Sequence, residues 1–283
     1  MAIRIDSHQH FWNLDQVEYP WLVPAFGPLY RTIEADELEP QLRDSGVEKT
    51  VIVQAMDSYA DTAYMLDTAE RYNWVGGVVG WVPLHRPAEA AERLAQYAKL
   101  PIFKGIRHLI HEEQDPDWVV QDTVIESLKV LADMNLTFDV VAVFPNHLKH
   151  IPTLAKRIPN LKMVIDHLAK PPLDQEALRQ WERELAEAAQ YPNVYAKISG
   201  LNTVMADPLN WTYLDLKPHV DKAIELFGAN RCMFGSDWPV ALLAGDYAKV
   251  WNETNRALAD YSQAEIDAVL GGTAAAFYKI DVG

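Results

Sequence analysis

At 283 residues the chain can bury a large core and sits near the usual length of one (β/α)8 domain. A composition of 49% hydrophobic and 23% charged residues excludes a disordered or low-complexity protein. A net charge of −15 repels phosphate backbones and anionic lipid, which argues against nucleic acid and membrane as partners.

The N-terminus carries Arg4 and Asp6 with no long apolar core behind them, so it does not read as a signal peptide. No stretch approaches the ~18 apolar residues of a membrane span. The single cysteine, Cys232, lies in the apolar run Cys-Met-Phe and reads as a small buried hydrophobe. No intrachain disulfide is possible, and a cytoplasmic setting is expected.

Short β-rich runs alternate with helical patterns along the whole chain, the signature of βα units around a parallel sheet. The first strand is expected over 3–6. A polar, proline-containing insertion over 13–34 follows, carrying Trp21, Phe26 and Tyr30. It is long for a βα loop and is placed either over the mouth of a pocket or as peripheral packing. A helix over 35–45 stops at Gly46.

Strands are then expected over 50–54, 78–84, 101–109, 137–144, 161–166, 194–198 and 231–235. Helices are expected over 60–72, 88–98, 118–134, 148–157, 175–190, 218–227 and 247–261, with a last segment from 264. Pro87 opens one helix and Asp174 is a good N-cap for another. Eight strands, each followed by a helix, make a closed (β/α)8 barrel, an α/β fold with one domain over 1–283. The glycines of 75–80 precede a strand rather than joining strand to helix, so they do not form a phosphate cradle.

In such a barrel, polar residues at the C-terminal ends of strands are the candidates for chemistry. His8 and His10 end the first strand two residues apart, and side chains at i and i+2 share one face. Strand four offers Lys104, Arg107 and His108, strand six Asp166 and His167, strand seven Lys197, and strand eight Asp237, bracketed by Gly235 and Pro239. Strand five ends in Val-Phe-Pro and offers no ligand, with His147 just beyond it. His85 also follows a strand, whereas His111, His150 and His219 read as solvated.

Two imidazoles, a third from another strand and one carboxylate could hold a divalent cation such as zinc through His8, His10, His167 and Asp237. The same groups could work without metal: imidazole N–H donors and Lys104 polarise a carbonyl while Asp237 takes a proton from water. Both variants are hydrolytic. Ser199 lies in Ile-Ser-Gly-Leu and Ser236 has no evident base, so a nucleophilic triad is not supported. No Walker, dinucleotide or Cys-x-x-Cys motif occurs.

Asp-Ser-His-Gln-His-Phe-Trp at the start, Phe-Lys-Gly-Ile-Arg-His, Asp-His-Leu-Ala-Lys-Pro and Gly-Ser-Asp-Trp-Pro occur in that order. Together they resemble the amidohydrolase superfamily. More narrowly they resemble its branch of sugar lactonases, of L-fuconolactonase and L-rhamnonolactonase type, with the related 2-pyrone-4,6-dicarboxylate lactonases. The likeness runs from Ile3 to about Phe277.

It implies catalytic roles for His8, His10, His167 and Asp237, with Lys104 at the strand-four position. The strand-five histidine of the superfamily's metal site is missing, which implies either no required cofactor or one weakly held divalent metal. The implied partner is a small sugar lactone, opened to its hydroxy acid. Trp12 and Trp238, which follow two of the motifs, either contact the sugar or pack at the barrel rim, and Arg107 and His108 either contact substrate oxygens or form ion pairs. A pyrone dicarboxylate would want several arginines at the mouth, and only Arg107, with Arg31 further out, is available. A metal-dependent decarboxylase shares two of the motifs. A non-enzymatic binding barrel would have no use for the four intact catalytic groups.

Overall fold

The computed structural model describes residues 2–282. Eight parallel strands form one sheet in the order β1 to β8: Ile5–Gln9, Lys49–Val53, Val75–Gly80, Phe103–His108, Thr137–Val140, Met163–Ile165, Val194–Ile198 and Cys232–Phe234. Backbone bonds from His10 N to the Trp238 carbonyl (2.7 Å) and from Asp237 N to the His8 carbonyl (2.8 Å) join the end of β8 to β1 and close the barrel. Because every strand runs the same way, all eight C-terminal ends open on one face.

The helices between strands are α1 (Ala35–Ser45), α2 (Tyr59–Arg71), α3 (Pro87–Tyr97), α4 (Asp122–Asp133), α5 (Ile151–Arg157), α6 (Gln175–Ala189), α7 (Tyr213–Phe227) and α8 (Tyr247–Ala257). Short α9 (Gln263–Asp267) and α10 (Thr273–Tyr278) end the chain. Local chemistry sets their limits. Gly46 stops α1 in the left-handed conformation at φ 70°, and the Asp174 carboxylate caps α6 by accepting from the Glu176 and Ala177 amides. Helix α7 starts five residues ahead of Pro218, because a Thr212–Asp215 capping box secures its first turn and outweighs the bond that the proline cannot make. Among the described residues no helix is long and apolar enough to cross a membrane.

Inside the barrel, Ile5, Val51, Val53, Val79, Val164 and Met233 form an apolar lower layer, closed from below by Phe277 and Tyr278 of α10. A register shift between β1 and β2 after Asp6 places both Ile5 and His8 on the interior side, which strict alternation would forbid. Strand β3 corrects the expected register: it occupies Val75–Gly80, so its glycines lie within the strand. Added Cβ atoms at Gly77 and Gly80 would meet Lys104 and Phe103 at 2.7 Å, so these positions let β4 pack close. Strand β5 ends at Val140, four residues before the expected end.

Candidate active site

Three imidazoles and one carboxylate from β1 and the ends of β6 and β8 meet above the apolar layer. His8 Nε2 and His10 Nε2 are 3.1 Å apart. Asp237 Oδ1 lies 3.4 Å from His10 Nε2, 3.8 Å from His8 Nε2 and 4.0 Å from His167 Nε2. All four residues are buried.

The backbone beneath two of them is strained. Asp237 has φ 58°, and His167, Leu168, Ala169 and Lys170 have φ 54°, 48°, 61° and 54°. Non-glycine residues in this region cost about 1–2 kcal/mol each, so a run of four is kept by its surroundings. The buried Leu168 and Ala169 side chains and a bond from Trp181 Nε1 to the Leu168 carbonyl (2.7 Å) supply that hold. Gly200 is required below: its φ is 60°, and a Cβ there would lie 2.6 Å from His167 Nδ1 and 2.8 Å from Asp237 Oδ2.

Each ring is oriented by a further partner. His10 Nδ1–H donates to the Val53 carbonyl at 2.7 Å, which leaves Nε2 of the neutral ring as a lone pair. The Ser199 hydroxyl lies 2.9 Å from His167 Nδ1. Lys197 Nζ donates to His8 Nδ1 at 3.0 Å, with Asp166 Oδ1 at 3.4 Å from the same nitrogen. Arg107 Nη1 is 3.2 Å from His8 Nε2 and 3.3 Å from Asp166 Oδ2, and Nη2 donates to the Gln54 carbonyl.

Burial lowers the proton affinity of all three imidazoles; it takes His167 to about 4, and Lys197 adds to the effect at His8. Burial alone would raise the Asp237 carboxyl, but His167, His10 and His8 around it hold it well below the usual carboxylate range. At neutral pH the centre is therefore a carboxylate facing neutral imidazoles.

These donors fit a divalent cation. His8, His10 and Asp237 form one possible ligand group and His8, Asp166 and His167 another. The three edges of the first group, 3.1, 3.4 and 3.8 Å, surround the roughly 3.4 Å spacing that ligands about 2.1 Å from a tetrahedral zinc would have. The lone pair of His10 facing a carboxylate also favours a cation between them. Two cations oppose it: the Lys197 ammonium at His8 Nδ1 (3.0 Å) and the Arg107 guanidinium at His8 Nε2 (3.2 Å) place positive charge on both sides of one ligand ring.

A cavity of about 220 Å³ opens onto this centre. Trp12, Trp21, Phe26 and Val240 line one part of it; Arg107, His111, Glu112 and Lys170 line another, above His10, His167 and Asp237. The insertion over 13–34 thus reaches the pocket mouth through Trp21 and Phe26. It is pinned by reciprocal Trp12–Ile33 backbone bonds (3.1 and 2.9 Å) and by Trp21 Nε1 donating to the Ala55 carbonyl at 2.7 Å. Tyr30 is exposed and does not line the cavity.

Several expected contacts are corrected. Lys104 is the second residue of β4 rather than one near its end, three residues or about 10 Å of strand below Arg107. Its ammonium donates to the Lys279 carbonyl (3.1 Å) at the opposite end of the barrel. His108 follows Arg107 and so points to the other side of the strand. There it stacks on Trp118 at 4.1 Å, accepts from Trp81 Nε1 at 3.0 Å and faces Glu113 at 2.8 Å. Trp238 is buried edge-on against Phe11 at 5.8 Å and does not line the cavity, whereas Trp12 does. Arg31 is engaged by Glu37 on the surface.

His111, expected in solvent, lines the pocket, and burial with the Lys170 and Arg107 charges lowers it to about 3. His150 is buried against the Pro116 carbonyl and Asp117, and His219 packs edge-on to Trp181. His85 is exposed and His147 bonds the Val143 carbonyl; neither lines the pocket. Strand five does contribute a polar group, the buried Asp139, obscured by the overlong strand expected there. Lys170 was visible in the Asp-His-Leu-Ala-Lys-Pro motif, but its place in the pocket depends on the left-handed turn.

The amidohydrolase family matches residues 5–280. An L-fucono-1,5-lactonase of Burkholderia ambifaria is 38% identical, over 99% of this chain and 97% of its own. An L-rhamnono-gamma-lactonase of Scheffersomyces stipitis is 28% identical over 50% of this chain and 47% of its own. The crystal structure of a Burkholderia multivorans amidohydrolase with bound zinc superposes with a TM-score of 0.92 at 34% identity, over 99% of this chain and 100% of that one. The similarity extends through all eight strands and both terminal motifs, and the chain belongs to the amidohydrolase family.

Proposed function

We propose that this protein is a lactone hydrolase that opens a sugar lactone, of the L-fucono- or L-rhamnonolactone kind, to its hydroxy acid. The observation that carries the reading is the meeting of Asp237 with His8, His10 and His167 on the floor of a 220 Å³ pocket that has an aromatic wall. The names of the similar lactonases support it. The family and the pocket also fit a soluble small-molecule enzyme, and we place it in the cytoplasm.

The lactone ring lies against Trp12, Trp21 and Phe26, whose faces suit the C–H surface of a sugar. Its carbonyl points down to the imidazoles, where the His167 N–H (Nδ1 engaged by Ser199) and Arg107 supply donors for the developing oxyanion. Asp237 takes a proton from a water molecule as its oxygen bonds to the carbonyl carbon. Its low basicity is offset by proximity, since the carboxylate is ionised and fixed at all working pH values. The tetrahedral intermediate collapses, the bond from carbonyl carbon to ring oxygen breaks, and the ring oxygen takes the proton from Asp237. The new carboxylic acid ionises in water, so each turnover releases acid.

A divalent metal such as zinc, held by His8, His10 and Asp237 with His167 nearby, would supply Lewis-acid polarisation of the carbonyl. With Lys197 behind His8, it would be bound weakly.

A pH-indicator assay across a panel of aldonolactones, including L-fucono-1,5-lactone, tests the reading. Ring opening of at least one is expected. Activity on pyrone dicarboxylate alone would overturn it. Arg107 is the one arginine lining the pocket among the described residues, and two carboxylates on a small ring would want several, which favours the uncharged ring.

A further inference from the structure

A file of buried polar groups leads from His8 to the far end of the barrel. The Tyr278 hydroxyl donates to Asp139 Oδ2 at 2.7 Å. Lys197 Nζ reaches the same oxygen at 2.5 Å and donates onward to His8 Nδ1 at 3.0 Å. Tyr278 is 1% exposed, and Asp139 and Lys197 are fully buried. Tyr278 belongs to α10, the last helix, and its ring packs edge-on against Phe277 at 4.7 Å in the apolar plug.

Burying an ion pair is expensive, and an apolar filling of this layer would be as stable or more so. Neither Asp139 nor Tyr278 reaches the pocket, so direct contact with substrate does not account for them. What they determine is where Lys197 points. A second carboxylate, Asp166 Oδ1, lies 3.3 Å from the same ammonium. If Asp139 could turn, Lys197 would be free to settle on Asp166 and withdraw its proton from His8. The Tyr278 hydroxyl prevents the turn by occupying Asp139 Oδ2, since Oδ1 has no partner to anchor it.

We propose that Tyr278 is a positioning residue: through Asp139 it holds Lys197 on His8 Nδ1, and so fixes the His8 ring from the opposite end of the barrel. This rests on the role given to His8 above. Tyr278→Phe removes one oxygen and keeps the packing. It should lower kcat about tenfold with KM within about twofold, as loss of an outer hydrogen-bonding partner does. Combined with Lys197→Met it should cost nothing beyond Lys197→Met alone, because both act through one contact. Phe277→Leu, which disturbs the same plug and leaves every polar group of the file in place, should lower the melting temperature and leave kcat unchanged.

The ¹⁵N resonance of the His8 ring gives a readout independent of turnover, and it should move in Tyr278→Phe and not in Phe277→Leu. An unmoved His8 resonance, an unchanged kcat, or a loss additive with that of Lys197→Met would overturn the proposal. If Tyr278→Phe does not fold, Asp139→Asn is held to the same outcomes. A His8 resonance that moves in a protein inactive on every lactone would sustain the positioning role and sink the lactonase reading; an active protein with an unmoved resonance would do the reverse.

Discussion

Asp237 Oδ1 stands 3.4 Å from His10 Nε2, a nitrogen left without a proton because the other side of the ring donates to Val53. A lone pair facing a carboxylate is unfavourable unless something positive or proton-bearing lies between them. A substrate water can fill that gap, giving one hydrogen to Asp237. A weakly held cation can fill it too, and this contact links the proposed base to the question of metal.

Chelation should leave most of the lactonase activity. Lys197 and Arg107 set positive charge against both ring nitrogens of His8, so a cation contributes little to holding the centre together. Initial rates before and after prolonged dialysis against a chelator check this. Complete loss, restored by zinc, would show instead that Lys197 yields to the metal.

The ammonium of Lys170 lines the pocket and has no hydrogen-bond or ion-pair partner among the described residues. It is free to meet substrate hydroxyls and the carboxylate formed on ring opening. Lys170→Met should raise KM about tenfold and weaken inhibition by the product acid to a similar degree, with kcat changed less than about threefold. Steady-state kinetics with added hydroxy acid measure both effects. Unchanged KM and inhibition would place Lys170 outside the binding step.

The barrel was legible because each apolar run ends in polar or turn-forming residues, and His-x-His on a strand admits one geometry. The side to which the strand-four residues point was not. Arg107 and His108 are adjacent, so only one of them can face the interior, and Lys104, near the start of the strand, lies three residues short of the end where the pocket opens. His111 and Lys170 depend on turns whose backbone follows from tertiary packing, not local pattern. Asp139 was hidden by the Val-Val-Ala-Val-Phe run after it, which reads as continuing strand.

Asp61 offers a test of the packing around the insertion. It is buried, accepts from the Tyr19 hydroxyl at 2.8 Å and from the Ala55 amide at 2.9 Å, and burial raises its carboxyl to about 6. A carboxyl raised on folding contributes stability that is fully present below its unfolded value of 3.8 and is lost as pH climbs through about 6. Asp61→Asn should therefore gain stability relative to the wild type as pH rises from about 4 to 7, as urea midpoints would show. A difference that stays constant over that range would mean that Asp61 ionises normally.

Activation of water by one carboxylate gathered with three imidazoles is tested most directly at Asp237. Asp237→Asn keeps the size of the side chain and removes the base. Measured on the best lactone with a folded variant, kcat should fall by about 10²-fold or more. Turnover within a few fold of wild type would contradict the account.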